Sequence, residues 1–246
     1  MSTKVLIILP TYNEAGYIER QLTELDNLRR TLASDYEITI LNVDDSSPDG
    51  TAVLARKLQL TNFEQLINPK KIGLGPAYLA GFSWGLSRNF DYFVEMDSDG
   101  SHLVSDLPTL LSDCSSVDLV IGTRWIAGGS IKNWPWFRIL ISKLGTSYAS
   151  TALKLPLKDL TSGYRVLSRG FLESLELSTI SNKGYGFQIE IALQAYANGF
   201  SIAQVPITFV ERSLGKSKMS SRIVFEAFKY VTKHGFERIF NGKNRR

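Results

Sequence analysis

Three polar clusters in the first hundred or so residues have the make-up of ligand-binding loops: Pro10-Thr11-Tyr12-Asn13-Glu14, Asp44-Asp45-Ser46-Ser47-Pro48-Asp49-Gly50 and Asp97-Ser98-Asp99-Gly100-Ser101-His102. Carboxylates brought together repel one another. A divalent cation that prefers oxygen ligands, Mg2+ or Mn2+, is the simplest remedy. Asp97 and Asp99 stand two apart, so an extended backbone would turn both carboxylates to one face, where they can share a metal ion. The second half of the chain supplies the opposite charge. Arg124, Arg138, Arg165 and the run Glu211-Arg212-Ser213-Leu214-Gly215-Lys216-Ser217-Lys218 offer guanidinium forks and ammonium point charges, both suited to phosphate oxygens. Arg138 and Ser142 are four apart in a helical pattern and share a face. An acidic, metal-binding crevice opposed by cations suggests a site for several phosphates.

Each acidic cluster follows a short apolar run. Val5–Leu9, Tyr36–Val43, Phe63–Ile67, Asp91–Met96 and Asp118–Gly122 read as strands. Helical patterns separate them: Ala15–Leu32, with apolar residues at Ile18, Leu22, Leu25 and Leu28, then Asp49–Leu60, Gly75–Arg88 and Leu107–Ser112. This alternation predicts an α/β fold with a doubly wound, mostly parallel sheet flanked by helices. In such a sheet the carboxyl ends of the strands open on one crevice, and the three clusters fall there. The second half is less regular. It reads as a long helix over Pro135–Leu153, a strand over Leu160–Leu167, a helix over Phe187–Ala197, a strand over Ile202–Val210 and an amphipathic helix over Arg222–Phe240.

The chain has 246 residues, 43% hydrophobic and 21% charged, which is the mix of one folded domain with a small appendage and not of a disordered chain. The single cysteine, Cys114, excludes an internal disulfide framework and cysteine-rich zinc sites, and it points to a reducing compartment. Two histidines, His102 and His234, are too few for a histidine metal site; His102 reads either as a neighbour of the metal or as a structural loop residue. No run of 18 apolar residues occurs, and the stretch from Trp134 to Leu144 is interrupted by Arg138 and Lys143, so no membrane span is expected. The N-terminus is too short for a signal peptide. Net charge is +4, but from Val205 onward ten Lys/Arg stand against three Glu, a net of +7, leaving −3 for the first 204 residues. A basic end of this kind suits phosphate-rich partners. Gly73-Leu74-Gly75-Pro76-Ala77 is no dinucleotide fingerprint, because the third glycine would fall at Tyr78; Walker A and G-x-S-x-G motifs are missing too. A nucleic-acid module is disfavoured because basic and aromatic residues are not interleaved.

Leu9-Pro10-Thr11-Tyr12-Asn13-Glu14, Val43-Asp44-Asp45-x-Ser47-Pro48-Asp49-Gly50-Thr51, Gly73-Leu74-Gly75, Asp97-x-Asp99 and Gly122-Thr123-Arg124 resemble the family-2 inverting glycosyltransferases, most closely the dolichol-phosphate mannosyltransferases. Asn133-Trp134-Pro135, Gly163-Tyr164-Arg165, Gly184-Tyr185-x-Phe187-Gln188 and Gly215-Lys216-Ser217-Lys218-Met219-Ser220 are similar to the bacterial polyprenol monophosphomannose synthases. The resemblance runs in order from about Lys4 to Gly235. It implies a GT-A fold over residues 1–220, with a nucleotide-binding half to about 122 and an acceptor half from about 123, followed at 221–246 by the amphipathic helix and basic tail. It implies that Pro10, Tyr12, Asn13, Glu14, Val43 and Asp45 hold the guanosine of GDP-mannose. Asp97, Ser98 and Asp99 would meet the donor diphosphate, with Asp97 and Asp99 on the metal, and Ser101 would stand where the family can use a Gln as a further metal ligand. Arg124, Arg138 and Ser142 match positions that hold the acceptor phosphate, and Arg212 and Lys218 a loop that closes on the donor diphosphate. The implied reaction is metal-dependent, inverting transfer of mannose to a polyprenyl phosphate, catalysed by a protein peripheral to the cytoplasmic face of a membrane, with Mg2+ or Mn2+ as cofactor. Its partners would be the nucleotide sugar, the lipid phosphate and the membrane surface, with no nucleic acid. The chemistry agrees: a phosphate monoester, with a second pKa of about 6, is largely dianionic at neutral pH and needs no base to attack the sugar. A UDP-sugar donor such as UDP-glucose, and a non-catalytic membrane-associated nucleotide-binding protein, remain as alternatives. For the last helix two readings stand, one on the membrane surface and one packed on its own domain.

Overall fold

The computed structural model describes residues 2–180, 184–211 and 227–236. Its main sheet has seven strands: β1 (Thr3–Thr11), β2 (Tyr36–Asp44), β3 (Phe63–Ile67), β4 (Tyr92–Glu95), β5 (Leu119–Thr123), β7 (Arg165–Ser168) and β8 (Ile202–Pro206). They lie in the order β3-β2-β1-β4-β7-β5-β8, and a second sheet pairs β6 (Ser130–Lys132) with β9 (Thr208–Val210). β1 runs parallel to β2 and β4, β2 to β3, and β5 to β8, while β7 alone is antiparallel to its neighbours β4 and β5. The mostly parallel sheet expected from the alternation is therefore present. β1 sits at its centre, and Val5 to Leu9 are buried on both faces, which is why this strand is apolar without interruption.

Helices cover both faces. On one lie α1 (Ile18–Thr31), α2 (Thr51–Lys57) and α4 (Leu107–Asp113), around Val5, Ile7, Leu9, Val94 and Val120. On the other lie α3 (Leu74–Leu86), α5 (Trp136–Leu153), α6 (Arg169–Ser174) and α7 (Tyr185–Ala197), around Leu6, Ile8, Phe82, Phe93 and Phe187. α3 carries glycines that would each cost an ordinary helix about 1 kcal/mol. They are required by its approach to the sheet: a Cβ on Gly81 would lie 2.6 Å from Ile8 Cγ2, and one on Gly85 2.5 Å from Leu6 Cδ2. The close fit seats α3 on β1, and the Gly73 N–H bond to Asp45 ties its N-terminus to the loop after β2. A last helix, α8 (residues 227–236), packs on α5: Val231 is buried and Tyr148 stacks on Phe228 at 5.0 Å. The packed alternative holds for this described part, while the rest of the expected Arg222–Phe240 helix lies outside the described residues.

Three expected elements differ. β4 ends at Glu95, so Asp97 and Asp99 belong to the following loop, where Gly100 turns the chain at φ 75° and Ser101 N–H donates to Asp99 Oδ1 at 3.0 Å. Strand alternation therefore does not align the two carboxylates. The strand expected over Leu160–Leu167 begins only at Arg165, because the carbonyls of Leu160 and Ser162 turn inward to the Arg165 guanidinium at 2.9 Å each. The strand expected over Ile202–Val210 is two strands, β8 and β9, each in its own sheet.

Candidate active site

The loops after β1, β2 and β4 are sewn together at the carboxyl edge of the sheet. Asp44 accepts from Thr11 Oγ1 (2.9 Å), Ser47 N–H (2.8 Å) and Ser47 Oγ (2.6 Å), so this carboxylate serves the loops themselves. Asp45 holds the loop before α3: its carboxylate accepts from Asn68 Nδ2 at 2.7 Å, Gly73 N–H at 2.8 Å and Ile72 N–H at 3.1 Å. Asn13 N–H donates to Ser47 Oγ (3.0 Å) and Glu14 N–H to Thr51 Oγ1 (2.9 Å). Ser98 Oγ donates to the carbonyl of Pro10 at 2.7 Å, tying the acidic loop to the end of β1. Pro10, Tyr12, Asn13, Glu14, Val43, Asp45 and Ser98 thus gather around one edge. Lys71, which sequence reading passed over, sets its ammonium 3.8 Å from the centre of the Tyr12 ring.

Asp97 and Asp99 sit half-buried beside this edge. Asp97 is steadied by His102, which is 2% exposed, stacked on Tyr164 at 4.9 Å and met edge-on by Phe209 at 5.6 Å. The Asp97 N–H donates to His102 Nδ1 at 3.1 Å, and His102 Nε2 stands 3.9 Å from Asp97 Oδ2. Burial pushes the imidazole down to about 4, so at neutral pH it is uncharged, with its proton on Nε2 facing the carboxylate. Of the two readings for His102, neighbour of the metal or structural loop residue, the geometry supports the structural one and sets it against Asp97. Ser101 Oγ is buried without a hydrogen-bond partner. Among the described residues no group of three or more His, Cys, Asp or Glu could hold a metal ion. Two carboxylates and an unsatisfied hydroxyl fit a hard cation of the Mg2+ or Mn2+ type that takes its other oxygens from diphosphate and water.

Beneath the acidic loop lies a buried polar floor. Glu95 is fully buried, and desolvation pushes its carboxyl up to about 7, against the opposing pull of Arg165 and Gln188. Arg165, grouped by sequence with the phosphate-seeking cations, is corrected here. It is 0% exposed, lies opposite Glu95 in the β4–β7 register and donates to the carbonyls of Leu160, Ser162 and Gln188. Strand alternation turns it inward, away from any phosphate.

The cations form a corner beside the acidic loop. Arg124 follows β5 and makes a two-pronged pair with Asp159, Nε to Oδ2 and Nη2 to Oδ1 at 2.7 Å each, with Asp159 wholly buried. Its guanidinium lies 5.3 Å from the Phe209 ring, the same ring that meets His102. Arg138, in the first turn of α5, lies over Trp134 at 4.2 Å and pairs with Glu211, just past β9. Ser142, one turn on, is half-buried. Asp159 and Glu211 are the partners that sequence reading missed; nothing in the local pattern announces a contact 35 or 73 residues away. Arg212 and Lys218 lie outside the described residues.

The model of the family described as Glycosyl transferase family 2 matches residues 6–176. The chain belongs to that family. Among curated family-2 relatives, the polyprenol monophosphomannose synthase of Mycolicibacterium smegmatis is 42% identical over 236 residues, covering 94% of this chain and 87% of the relative. The undecaprenyl-phosphate mannosyltransferase of Micrococcus luteus is 45% identical over 241 residues, 97% of each chain. Of solved structures, glucosyl-3-phosphoglycerate synthase from Mycobacterium tuberculosis, in complex with Mn2+ and UDP-glucose, superposes with a TM-score of 0.69 at 18% identity, over 95% of this chain and 79% of that one. This last likeness establishes the GT-A fold. The expected glycosyltransferase and its architecture are thereby borne out.

Proposed function

We propose that this family-2 glycosyltransferase moves mannose from GDP-mannose to a polyprenyl phosphate, with inversion at the anomeric carbon. The observation that carries the reading is that the Asp97–Asp99 loop adjoins Arg124 through His102 and Phe209, with Arg138 joined to the same Phe209 ring through Trp134. The full-length likeness to two enzymes named for mannosyl or phosphomannose products on polyprenyl lipids supports the choice of sugar and acceptor.

In this reading residues to about 122 handle the donor and residues from about 123 the acceptor. Pro10, Tyr12, Asn13, Glu14, Val43 and Asp45 hold the nucleoside. Asp97, Asp99 and Ser101 hold the metal ion, which when bound neutralises the donor diphosphate and stabilises its departure. Arg124, Arg138 and Ser142 bring the acceptor phosphate beside that anionic group. Asp159 holds Arg124 in a buried pair, whereas the Arg138–Glu211 pair is partly exposed, so Arg138 is the cation more open to an incoming phosphate. The acceptor oxygen attacks in line and needs no protein base. Arg212 and Lys218 add charge where the diphosphate leaves.

A lipid acceptor calls for a membrane surface, and α5 offers a seat for it. Trp136, Phe137, Leu140, Ile141 and Leu144 form an exposed apolar stripe, with Trp136 75% and Ile141 62% exposed, on the helix that also carries Arg138 and Ser142. No helix among the described residues is long and apolar enough to cross a membrane. A stripe of this kind on a helix with Arg138 and Lys143 suits an interfacial position on anionic lipid. The test is chromatographic identification of the nucleotide released when the protein, Mg2+ or Mn2+ and a polyprenyl phosphate are mixed with GDP-mannose or UDP-glucose. Release of GDP with lipid-linked mannose is expected; release of UDP alone would replace the donor, and tight nucleotide binding without transfer would remove the activity.

A further inference from the structure

The two arginines of the cationic corner are held in physically different ways. Arg124 is locked to Asp159 by two parallel hydrogen bonds in a buried setting, where exchange of partner would strand a carboxylate away from water. The Arg138–Glu211 pair sits at the rim: the side chains are 24% and 32% exposed and share a single contact, Nη1 to Oε1. Neither residue depends on the other for its place. Arg138 rests on the Trp134 ring, and Glu211 is fixed through its backbone, its N–H donating to the Lys132 carbonyl at 3.1 Å as the chain leaves β9. The pair can open without moving either backbone, and a partly exposed ion pair is easier to exchange than a buried one.

We infer that Glu211 is a placeholder for the acceptor. Its carboxylate occupies, on Arg138, the position that the phosphate of the lipid takes when it binds, so acceptor binding is an exchange of one anion for another. A phosphate dianion carries more charge and more acceptor oxygens than a carboxylate and displaces it. Glu211 is thus a residue that sets acceptor affinity without contacting the acceptor, by competing for Arg138. The inference rests on the proposed role of Arg138 as an acceptor-phosphate ligand.

The test is calorimetric titration of farnesyl phosphate, in the presence of GDP and Mg2+, into the wild type, E211Q, R138A and the R138A/E211Q double variant. E211Q should bind about two- to sixfold more tightly than the wild type, the gain expected when a partly exposed ion pair stops competing for one partner. The gain should vanish in the R138A background. In transfer assays the acceptor KM should fall by the same factor in E211Q, with donor KM unmoved. Glu211→Ala, which removes the carboxylate altogether, should repeat the effect if E211Q folds poorly. Unchanged or weaker binding by both variants at wild-type melting temperature overturns the placeholder. So does a gain that persists without Arg138, since it would mark a diffuse charge effect. A wild type that transfers mannose yet shows either result loses only this inference, whereas a wild type that neither binds farnesyl phosphate nor transfers mannose loses the proposed function as well.

Discussion

Asp159→Asn tests the cationic corner at its most buried point. The substitution keeps the shape of the side chain and an oxygen to accept from Arg124 N–H, now 3.2 Å from Asp159 Oδ2, but it removes the charge that Arg124 meets through two 2.7 Å bonds. Arg124 is 8% exposed and Asp159 0%, so water replaces little of what is lost. Breaking one side of a buried pair typically costs about 3 to 5 kcal/mol; the remaining Thr161 contact at 3.0 Å favours the lower end. For a chain of this size each kcal/mol moves the melting temperature by roughly 2 to 4 °C, so a drop of about 6 to 12 °C is expected. Thermal melts followed by circular dichroism or calorimetry give the number. The Arg124→Met/Asp159→Asn double variant, which removes both charges, should recover most of the loss. A single variant that melts within about 2 °C of the wild type would refute the reasoning, and with it the view that Arg124 is anchored while Arg138 is exchangeable.

Asp99→Asn should lower transfer at least about a hundredfold and weaken Mn2+ binding measured by electron paramagnetic resonance in the presence of GDP; wild-type transfer in excess chelator would contradict the metal site. Arg138→Ala should raise the acceptor KM by roughly ten- to a hundredfold, the worth of a charge-assisted contact, and leave the donor KM near its wild-type value. Glu95 has its folded-state carboxyl raised from 4.5 to about 7 by burial, so stability present below 4.5 is lost as pH rises through 7. Glu95→Gln should therefore stabilise the protein at pH 8, by on the order of 3 kcal/mol, and do little at pH 4.5, as read from urea unfolding at the two pH values. Replacing Ile141 and Leu144 together with Asp should reduce co-sedimentation with anionic vesicles by about tenfold or more, since each buried aliphatic side chain is worth about 1.5 to 3 kcal/mol; unchanged sedimentation would leave α5 without its proposed seat.

The parts of the fold that were legible in the sequence are those fixed by local pattern. Val5–Leu9 is a continuous apolar run because β1 is buried on both faces, Tyr36–Val43 is apolar mainly where β2 is buried, and both positions come out within one or two residues at each end. The strand over Ile202–Val210 was over-read because its apolar character continues through Pro206 and Ile207, where the chain leaves one sheet for the other; Ile207 stays buried as it packs over Gly122. Leu160 to Tyr164 misled for another reason: the segment is largely buried, yet the carbonyls of Leu160 and Ser162 are spent on Arg165. At the site the acidic loops were legible, since each follows its own strand directly. The neighbours that tune them were not. Arg124 with Asp159, Arg138 with Glu211 and His102 with Phe209 are contacts made by the tertiary fold, and residue type alone does not pair them. The expected turning of Asp97 and Asp99 to one face rested on strand geometry that stops at Glu95.

The central claim is that this site joins a nucleotide-bound mannose to a lipid phosphate. Its most direct test is incubation of the purified protein with radiolabelled GDP-mannose, a polyprenyl phosphate and Mg2+ or Mn2+, with label followed into the organic-soluble lipid fraction and the product's anomeric configuration read by nuclear magnetic resonance. The account predicts acid-labile, β-linked mannosyl lipid that forms only when metal and phosphorylated acceptor are both present. Label that stays in the aqueous phase, or a product that retains the α-configuration of the donor, would contradict it.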